Sequence, residues 1–259
     1  MSVENASPRW IALDGAVNVR AVVPGVLLRA DNLQSLSARD IRVLIEQEAL
    51  EVVLDLRTDG EVELEGPGPM AAERAVRIEH RSLYPDPAES TGRDARTVNP
   101  WAPADDGESP DESPYVRAYM SYLRRRPDSV VGSVRTIARA DSAVLVHCAA
   151  GKDRTGVVVA LALDAAGVNR DTIVEDYLAS AHRIDAIVAR LVSSTTYRPG
   201  LEGRDPQELA PLPGTMERFL ELIDERLGGS ASWLCAQGLS GADLERLQHR
   251  LAPAGRSSD

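Results

Sequence analysis

Aromatic residues and cysteines are scarce in this chain of 259 residues. Phe, Trp and Tyr make up 4% of the sequence against 43% hydrophobic residues in total, so the predicted core is aliphatic. The two cysteines, Cys148 and Cys235, are too few for a disulfide framework, and we expect Cys235 to pack within a helix. No cluster with metal-ligand spacing occurs among the cysteines and the four histidines, so we predict neither a metal nor a cofactor.

Long apolar runs and an excess of positive charge are also missing. The longest apolar stretch, residues 157–166, contains Asp164 and is far shorter than the roughly 20 residues that a membrane helix needs. The first residues are polar and acidic, unlike a signal peptide. A net charge of −11 argues against general nucleic-acid binding. We therefore expect a soluble, cytoplasmic protein with no integral membrane segment and no nucleic-acid partner, while export without a signal peptide and the oligomeric state stay open.

Hydrophobic patterns predict an alternation of strands and helices. Segments rich in Val, Ile and Leu predict strands at residues 26–29, 51–56, 76–81 and 143–147. Helical periodicity predicts helices at residues 37–49 with Ser37 as N-cap, 115–126, 128–140, 154–166, 171–179, 183–193, 215–227 and from 240 onward. This alternation indicates an α/β fold with helices on both faces of a central sheet, in a single domain spanning residues 1–259.

The most informative segment is the ten residues 147–156, which read HCAAGKDRTG. An apolar run precedes it and another follows, an order that predicts a buried strand, a tight loop and a helix. Such a loop directs backbone N–H groups inward, and the helix N-terminus adds positive charge. Arg154 adds a planar fork that matches two phosphate oxygens. We predict a phosphate site built by Ala149, Ala150, Gly151, Lys152, Asp153 and Arg154.

The thiol of Cys148 is the predicted nucleophile. It lies at the bottom of the loop and faces a positive field, which favours the reactive thiolate, and a thiolate under a bound phosphate is in line for attack on phosphorus. His147 is expected to orient the loop, and the Thr155 hydroxyl to donate a hydrogen bond to the sulfur. The alternative, a buried cysteine in an ordinary strand-to-helix turn, leaves the rest of the motif unexplained.

The pattern His-Cys-x5-Arg-Thr-Gly is the signature of cysteine-dependent phosphatases, and this form of it resembles the bacterial tyrosine phosphatases of the mycobacterial type. Further segments resemble that family: residues 27–31 (LLRAD), 53–57 (VLDLR) with Glu61 and the turn 66–68, 84–86 (YPD), 175–178 (EDYL) and 227–251. Where the family has Asn-Phe-Arg-Asp-Leu-Gly, residues 18–23 read NVRAVV, which leaves the role of that element open. The resemblance implies a phosphotyrosine-phosphatase-like fold over nearly the whole chain.

One long segment does not fit the alternation. Residues 85–114 are rich in acidic residues and proline and poor in aliphatics, as in a solvated loop. The resemblance implies a mobile lid over the active site, at about residues 85–126, and a disordered insertion is the alternative. A second irregular stretch, residues 195–213, is expected to edge the same pocket.

Cleavage of a phosphomonoester needs a proton for the leaving oxygen, and a carboxylic acid usually supplies it. Asp153 in the loop and Asp86 both match acids of the family that the chain resembles; we favour Asp153 and keep Asp86 as the other candidate. Asp55, at the end of a strand, is expected to hold the loop through hydrogen bonds. Arg57 and Glu61 are expected to form an ion pair behind the site.

These residues predict a protein tyrosine phosphatase that works through a cysteinyl-phosphate without a metal. The expected partner is a phosphorylated protein or a phosphoinositide, because the neighbouring charges of Lys152 and Arg154 suit multiply phosphorylated ligands and the resemblance includes activity on phosphoinositides. Broad specificity for phosphotyrosine, phosphoserine and phosphothreonine therefore stays open. A non-catalytic phospho-binding module would be expected to lack Cys148, Arg154 or the acid, and all three are present.

Overall fold

The computed structural model describes residues 8–85 and 111–252. A six-stranded sheet with the order β1-β2-β3-β6-β4-β5 forms its centre. The strands are β1 (Arg9–Trp10), β2 (Arg20–Val23), β3 (Leu27–Ala30), β4 (Leu50–Asp55), β5 (Arg77–His80) and β6 (Ala143–His147). Strand β6 lies parallel between β3 and β4, and β1 and β2 add an antiparallel edge. The four predicted strands are confirmed, whereas β1 and β2 were not predicted.

Helices occupy most of the remaining described chain. They are α1 (Ala38–Arg42), α2 (Asp59–Glu65), α3 (Pro114–Arg125), α4 (Pro127–Arg139), α5 (Asp153–Ala165), α6 (Arg170–Ala179), α7 (Ile184–Ser193), α8 (Arg198–Leu201), α9 (Thr215–Leu227), α10 (Ser230–Ala236) and α11 (Gly241–Leu251). Ser37 caps α1 as predicted, and α1 continues into a π-helical segment, Val43–Gln47. Helices α2, α8 and α10 were not predicted, because each is too short to show a clear period.

Side chains of the sheet alternate between two cores, as the pleat requires. On one face Val52, Leu54 and Val146 pack with α3, α4, α5, α9, α10 and α11. On the other face Val53 and Leu145 pack with α1, the π-helical segment and the turn Pro69–Ala72. Helical segments thus cover both faces of a central sheet, which confirms the predicted fold class.

The carboxyl ends of three strands meet at one edge of the sheet. The register pairs His147 with Ala30 on one side and with Asp55 on the other. Residues 148–154, the signature loop, leave β6 at this edge and lead into α5, whose residues 154–163 are all buried. The strand, loop and helix predicted from the motif are therefore confirmed.

Cys235 differs from what the sequence predicts, and the expected lid is described only in part. Cys235 is exposed on α10, because Trp233 and Leu234 occupy the face of that short helix that packs on the core. Of the expected lid, residues 86–110 lie outside the described residues, and the described remainder is mostly α3, which packs on α9 and α4. Within residues 8–85 and 111–252, no helix combines the length and apolarity needed to span a bilayer.

Candidate active site

The backbone of the signature loop is tightly folded and buried. Gly151 has a φ of +66°, and a Cβ at this position would lie 2.2 Å from the Ala30 carbonyl oxygen, so only glycine fits. Cys148 is 2% exposed and Arg154 3% exposed. The loop therefore presents its thiol inside the protein rather than on its surface.

Among the described residues, the backbone carbonyl groups of the loop have hydrogen-bond partners, whereas its backbone N–H groups do not. The carbonyl oxygens of residues 149–152 each accept a hydrogen bond, at 2.6–2.9 Å. Ala149 O accepts from Asn32 N, Ala150 O from Asn18 Nδ2, Gly151 O from Arg29 Nη2, and Lys152 O from Gly156 N. Within residues 8–85 and 111–252, no acceptor receives a hydrogen bond from a backbone N–H group of residues 149–154. Buried N–H groups without partners are costly, and a set of them around one loop is suited to an anion.

A buried polar network holds the outer side of the loop. Asp176 bridges two arginines, with Oδ1 2.8 Å from Arg20 Nε and Oδ2 2.5 Å from Arg29 Nη1. Asn18 Oδ1 accepts from Arg20 Nη1 at 2.6 Å. Burial works against ionisation of Asp176, but the two guanidinium groups hold its pKa below the ordinary value. The element 18–23, whose role the sequence left open, therefore supports the signature loop through Asn18 and Arg20.

The guanidinium of Arg154 is held by a carboxylate of α2. Its Nη1 lies 2.5 Å from Glu61 Oε2 and its Nη2 3.0 Å from Oε1. The predicted ion pair between Arg57 and Glu61 is wrong. Arg57 instead bonds to Asp55, two residues earlier at the end of β4, through Nε and Nη2. Glu61 is turned the other way because it completes a capping box with Thr58 at the start of α2.

Asp55 does not hold the loop directly. Its carboxylate accepts hydrogen bonds from Arg57. Among the described residues, its one polar side-chain contact with the motif joins Oδ1 to His147 Nε2, at 3.6 Å. His147 is buried, which lowers its pKa, and its Nδ1 lies 3.2 Å from the Cys148 carbonyl oxygen. His147 therefore contacts the start of the loop, and its role in orienting the loop stays a prediction. The Thr155 hydroxyl is buried and has no hydrogen-bond partner in the described residues, so the expected bond to sulfur is not formed.

Asp153 is the first residue of α5, and its side chain is 14% exposed. Its Oδ1 accepts a hydrogen bond from the Tyr119 hydroxyl at 2.5 Å. Lys152 is buried rather than at the rim of the pocket, since its Nζ donates to the Leu209 carbonyl oxygen at 2.5 Å and lies 3.5 Å from Asp153 Oδ1. The other candidate acid, Asp86, lies outside the described residues.

The segment after α7 packs on the loop. Ala149 and Ala150 belong to an apolar cluster that includes Tyr197, Leu201 and Leu209. The segment 195–213 therefore packs with the loop at these three positions, and its place at the edge of the pocket stays a prediction.

Comparison with known proteins decides the family. A sequence model described as the tyrosine phosphatase family matches residues 13–253. The chain belongs to this family. The triple specificity protein phosphatase PtpB of Mycobacterium tuberculosis is 30% identical over 96% of this chain and 98% of its own length. A tyrosine-protein phosphatase of Nostoc commune is 32% identical over 53% of this chain and 49% of its own length. The predicted family and enzyme class are confirmed.

Solved structures give a weaker likeness. The crystal structure of TpbA from P. aeruginosa covers 84% of this chain and 99% of its own, at 14% identity and a TM-score of 0.35. A second TpbA structure, of a cysteine-to-serine variant in complex with phosphotyrosine, covers 84% of this chain and 98% of its own, at 13% identity and a TM-score of 0.34.

Several residues of the candidate site in this tyrosine phosphatase were not predicted. Asn18 and Arg29 reach the loop from 122 or more positions away, Asp176 supports it through the arginines, and no local pattern indicates such contacts. Tyr119 reaches Asp153 across a gap of 34 positions. The contact of Glu61 did have a signal, because Thr58-x-x-Glu61 is a capping-box pattern that fixes the orientation of the glutamate.

Proposed function

We propose that this tyrosine phosphatase uses Cys148 as its nucleophile and the N–H groups of residues 149–154, with Arg154, as its phosphate site. The observation that carries the proposal is the contrast within the loop: among the described residues, its backbone carbonyl oxygens are hydrogen-bonded and its backbone N–H groups are not, around a buried thiol. A phosphoryl group supplies the acceptors that these donors lack.

The proposed reaction has two steps. In the first, the Cys148 sulfur attacks phosphorus, the bond from phosphorus to the ester oxygen breaks, and that oxygen takes a proton from Asp153. In the second, water attacks phosphorus and gives its proton to Asp153, the bond to sulfur breaks, and the thiolate is restored. Arg154 and the loop N–H groups stabilise the equatorial oxygens in both steps.

Asp153 is our proposed proton donor. Its carboxyl adjoins the phosphate loop, is partly exposed, and is held by Tyr119. A proton donor needs to be within reach of the leaving oxygen before its acidity matters. Asp86 is retained as the second candidate, and the leaving-group experiments below distinguish the two.

Phosphorylated proteins are the proposed substrates, with phosphotyrosine as the main target and phosphoserine and phosphothreonine as additional ones. The name of the PtpB relative, a triple specificity phosphatase, supports breadth. A phosphoinositide is less favoured, because the Lys152 ammonium that would meet a second phosphate is buried against Leu209. A reducing compartment, such as the cytoplasm, suits a nucleophile that has to remain a free thiol.

Phosphate release by wild type and by Cys148→Ser tests the mechanism. The substrates are a phosphotyrosine peptide, a phosphothreonine peptide and phosphatidylinositol monophosphate, each with and without chelator. We expect release by wild type alone, fastest from phosphotyrosine and unaffected by chelator. Cys235→Ser is the matched control, since it removes the exposed thiol and is expected to leave turnover unchanged.

Two results would contradict the proposal. Activity in Cys148→Ser would exclude the cysteinyl-phosphate. Tight binding of the peptides by wild type without release from any of them would instead identify a phospho-binding module.

A further inference from the structure

Two buried phenols form a chain that ends on Asp153. The hydroxyl of Tyr119, on α3, lies 2.5 Å from Asp153 Oδ1, and the hydroxyl of Tyr177, on α6, lies 2.9 Å from that of Tyr119. Tyr119 is 0% exposed and Tyr177 2% exposed. The ring of Tyr119 packs edge-on against Phe219 and Tyr177, at centroid distances of 5.7 and 6.4 Å. Both hydroxyls are therefore fixed relative to α5.

Each phenol carries one hydroxyl proton and can both donate and accept. When Asp153 is ionised, Tyr119 donates to the carboxylate, and Tyr177 is left to donate to Tyr119. When Asp153 is protonated, the carboxyl donates to Tyr119, and Tyr119 donates to Tyr177. The two arrangements differ only in where the hydroxyl and carboxyl protons point, so the hydrogen bonds of the chain persist without movement of heavy atoms.

This chain can work only while both phenols remain protonated. Burial, followed by the negative charge of Asp153, raises the pKa of Tyr119 and of Tyr177 far above neutrality. Both phenols therefore stay protonated in the range where a tyrosine phosphatase operates, and since a phenol of raised pKa is a far weaker acid than a carboxyl group, neither competes with Asp153 as a proton donor.

We propose that Tyr119 is a positioning residue for Asp153, with Tyr177 as the second member of the chain. The proposal rests on Asp153 being the proton donor of the reaction. Asp153 has to act as an acid in the first step and as a base in the second, and the chain keeps its carboxyl at the same place in both states. Removal of the Tyr119 hydroxyl frees the carboxyl to rotate and weakens protonation of the leaving oxygen.

The same helix offers a matched control. Tyr122 is 3% exposed, lies on α3 and bonds through its hydroxyl to the hydroxyl of Tyr84, at 3.1 Å, instead of to Asp153. Tyr122→Phe and Tyr119→Phe therefore each delete one buried, hydrogen-bonded hydroxyl from α3, but only Tyr119→Phe removes a contact with the carboxyl.

A leaving-group series is the experiment. Turnover is measured on aryl phosphates whose phenols range from weakly to strongly acidic, for wild type, Asp153→Asn, Tyr119→Phe, Tyr177→Phe and Tyr122→Phe. For the least acidic phenols we expect Tyr119→Phe to lower kcat about tenfold or more, the scale of one hydrogen bond to a charged group. KM and turnover of the most activated ester change little. Tyr177→Phe changes kcat in the same direction but less, and Tyr122→Phe matches wild type.

The outcomes separate two failures. If Asp153→Asn has the same leaving-group dependence as wild type, Asp153 is not the donor, and the proposed mechanism fails together with this inference. If Asp153→Asn steepens the dependence and Tyr119→Phe does not, the donor stands and the positioning role is refuted. Should Tyr119→Phe not fold, Tyr177→Phe decides the matter, since a wild-type dependence in that variant overturns the chain.

Discussion

Breaking the ion pair between Glu61 and Arg154 is expected to lower the free energy of unfolding by about 3–5 kcal/mol. The two side chains are each 4% exposed and share two hydrogen bonds. Glu61→Gln keeps the size of the side chain but removes the counter-charge, which leaves the guanidinium buried and unneutralised. Removing one partner of a buried pair typically costs about 3–5 kcal/mol, or a fall in Tm of about 10 °C for a domain of this size.

The loss of unfolding free energy in Glu61→Gln depends on pH, because it comes from the ionised carboxylate of Glu61. Burial alone would raise the pKa of Glu61, but the Arg154 guanidinium outweighs burial and holds the pKa below its ordinary value. A carboxylate of this kind stabilises the fold fully above its unfolded pKa of about 4.3, and the stabilisation is lost as the pH falls through the lower folded value. The difference in unfolding free energy between wild type and Glu61→Gln is therefore largest at neutral pH and shrinks below about pH 4.

Urea unfolding of both proteins across this pH range is the assay, with Glu208→Gln as control. Glu208 is 64% exposed and pairs with Arg204 at 4.0 Å on the surface, so its loss is expected to cost at most about 1 kcal/mol. Because the fork of Arg154 loses the groups that orient it, kcat/KM of Glu61→Gln is expected to fall about 10- to 100-fold. A variant as stable as the control at neutral pH, or a deficit that does not vary with pH, would refute the reasoning.

Three further changes test the loop and its support. Asp176→Asn leaves Arg20 and Arg29 buried without a counter-charge, so we expect a loss of about 3–5 kcal/mol in urea unfolding together with reduced turnover; unchanged stability would contradict the network. Gly151→Ala forces a Cβ to 2.2 Å from the Ala30 carbonyl and is expected to cost more than the roughly 1–2 kcal/mol of a left-handed backbone alone, with loss of phosphate binding measured by calorimetry. Asp153→Asn should slow esters of weakly acidic phenols far more than activated esters, whereas an equal loss on both would move the donor to Asp86.

The side of the signature loop that carries Cys148 and Arg154 could be predicted, because its residues are neighbours in the sequence. The Cys148, Gly151 and Arg154 pattern is read within ten residues, and its meaning depends on the strand before it and the helix after it, both of which have strong apolar signals. The prediction failed for Arg57 and Glu61, because the residue types alone do not fix which carboxylate a guanidinium contacts. At the end of β4 the side chain of Arg57 turns back to Asp55, and the capping box turns Glu61 towards Arg154.

The outer side of the loop could not be predicted, because its donors come from distant parts of the chain. Asn18 lies 132 positions from the carbonyl of Ala150, and Arg29 lies 122 positions from that of Gly151. Such contacts depend on the pairing of β3 with β6 and on the packing of α6 against α5. A sequence pattern gives the residue types of these elements but not the register that brings them together.

The network also explains the agreement and the departure from the family pattern over residues 18–20, the first half of the element 18–23. Asparagine and arginine stand at positions 18 and 20, as in Asn-Phe-Arg-Asp-Leu-Gly, and these are the two that bond to the loop or to its support. Val19, which stands where the pattern has phenylalanine, packs in the apolar core on the second face of the sheet. An apolar position tolerates a change of side chain as long as it stays apolar and of suitable volume, whereas a buried donor to a carbonyl cannot be lost without leaving that carbonyl unpaired. The departure at position 19 therefore falls where packing decides the residue, and the agreement at positions 18 and 20 falls where hydrogen bonding does.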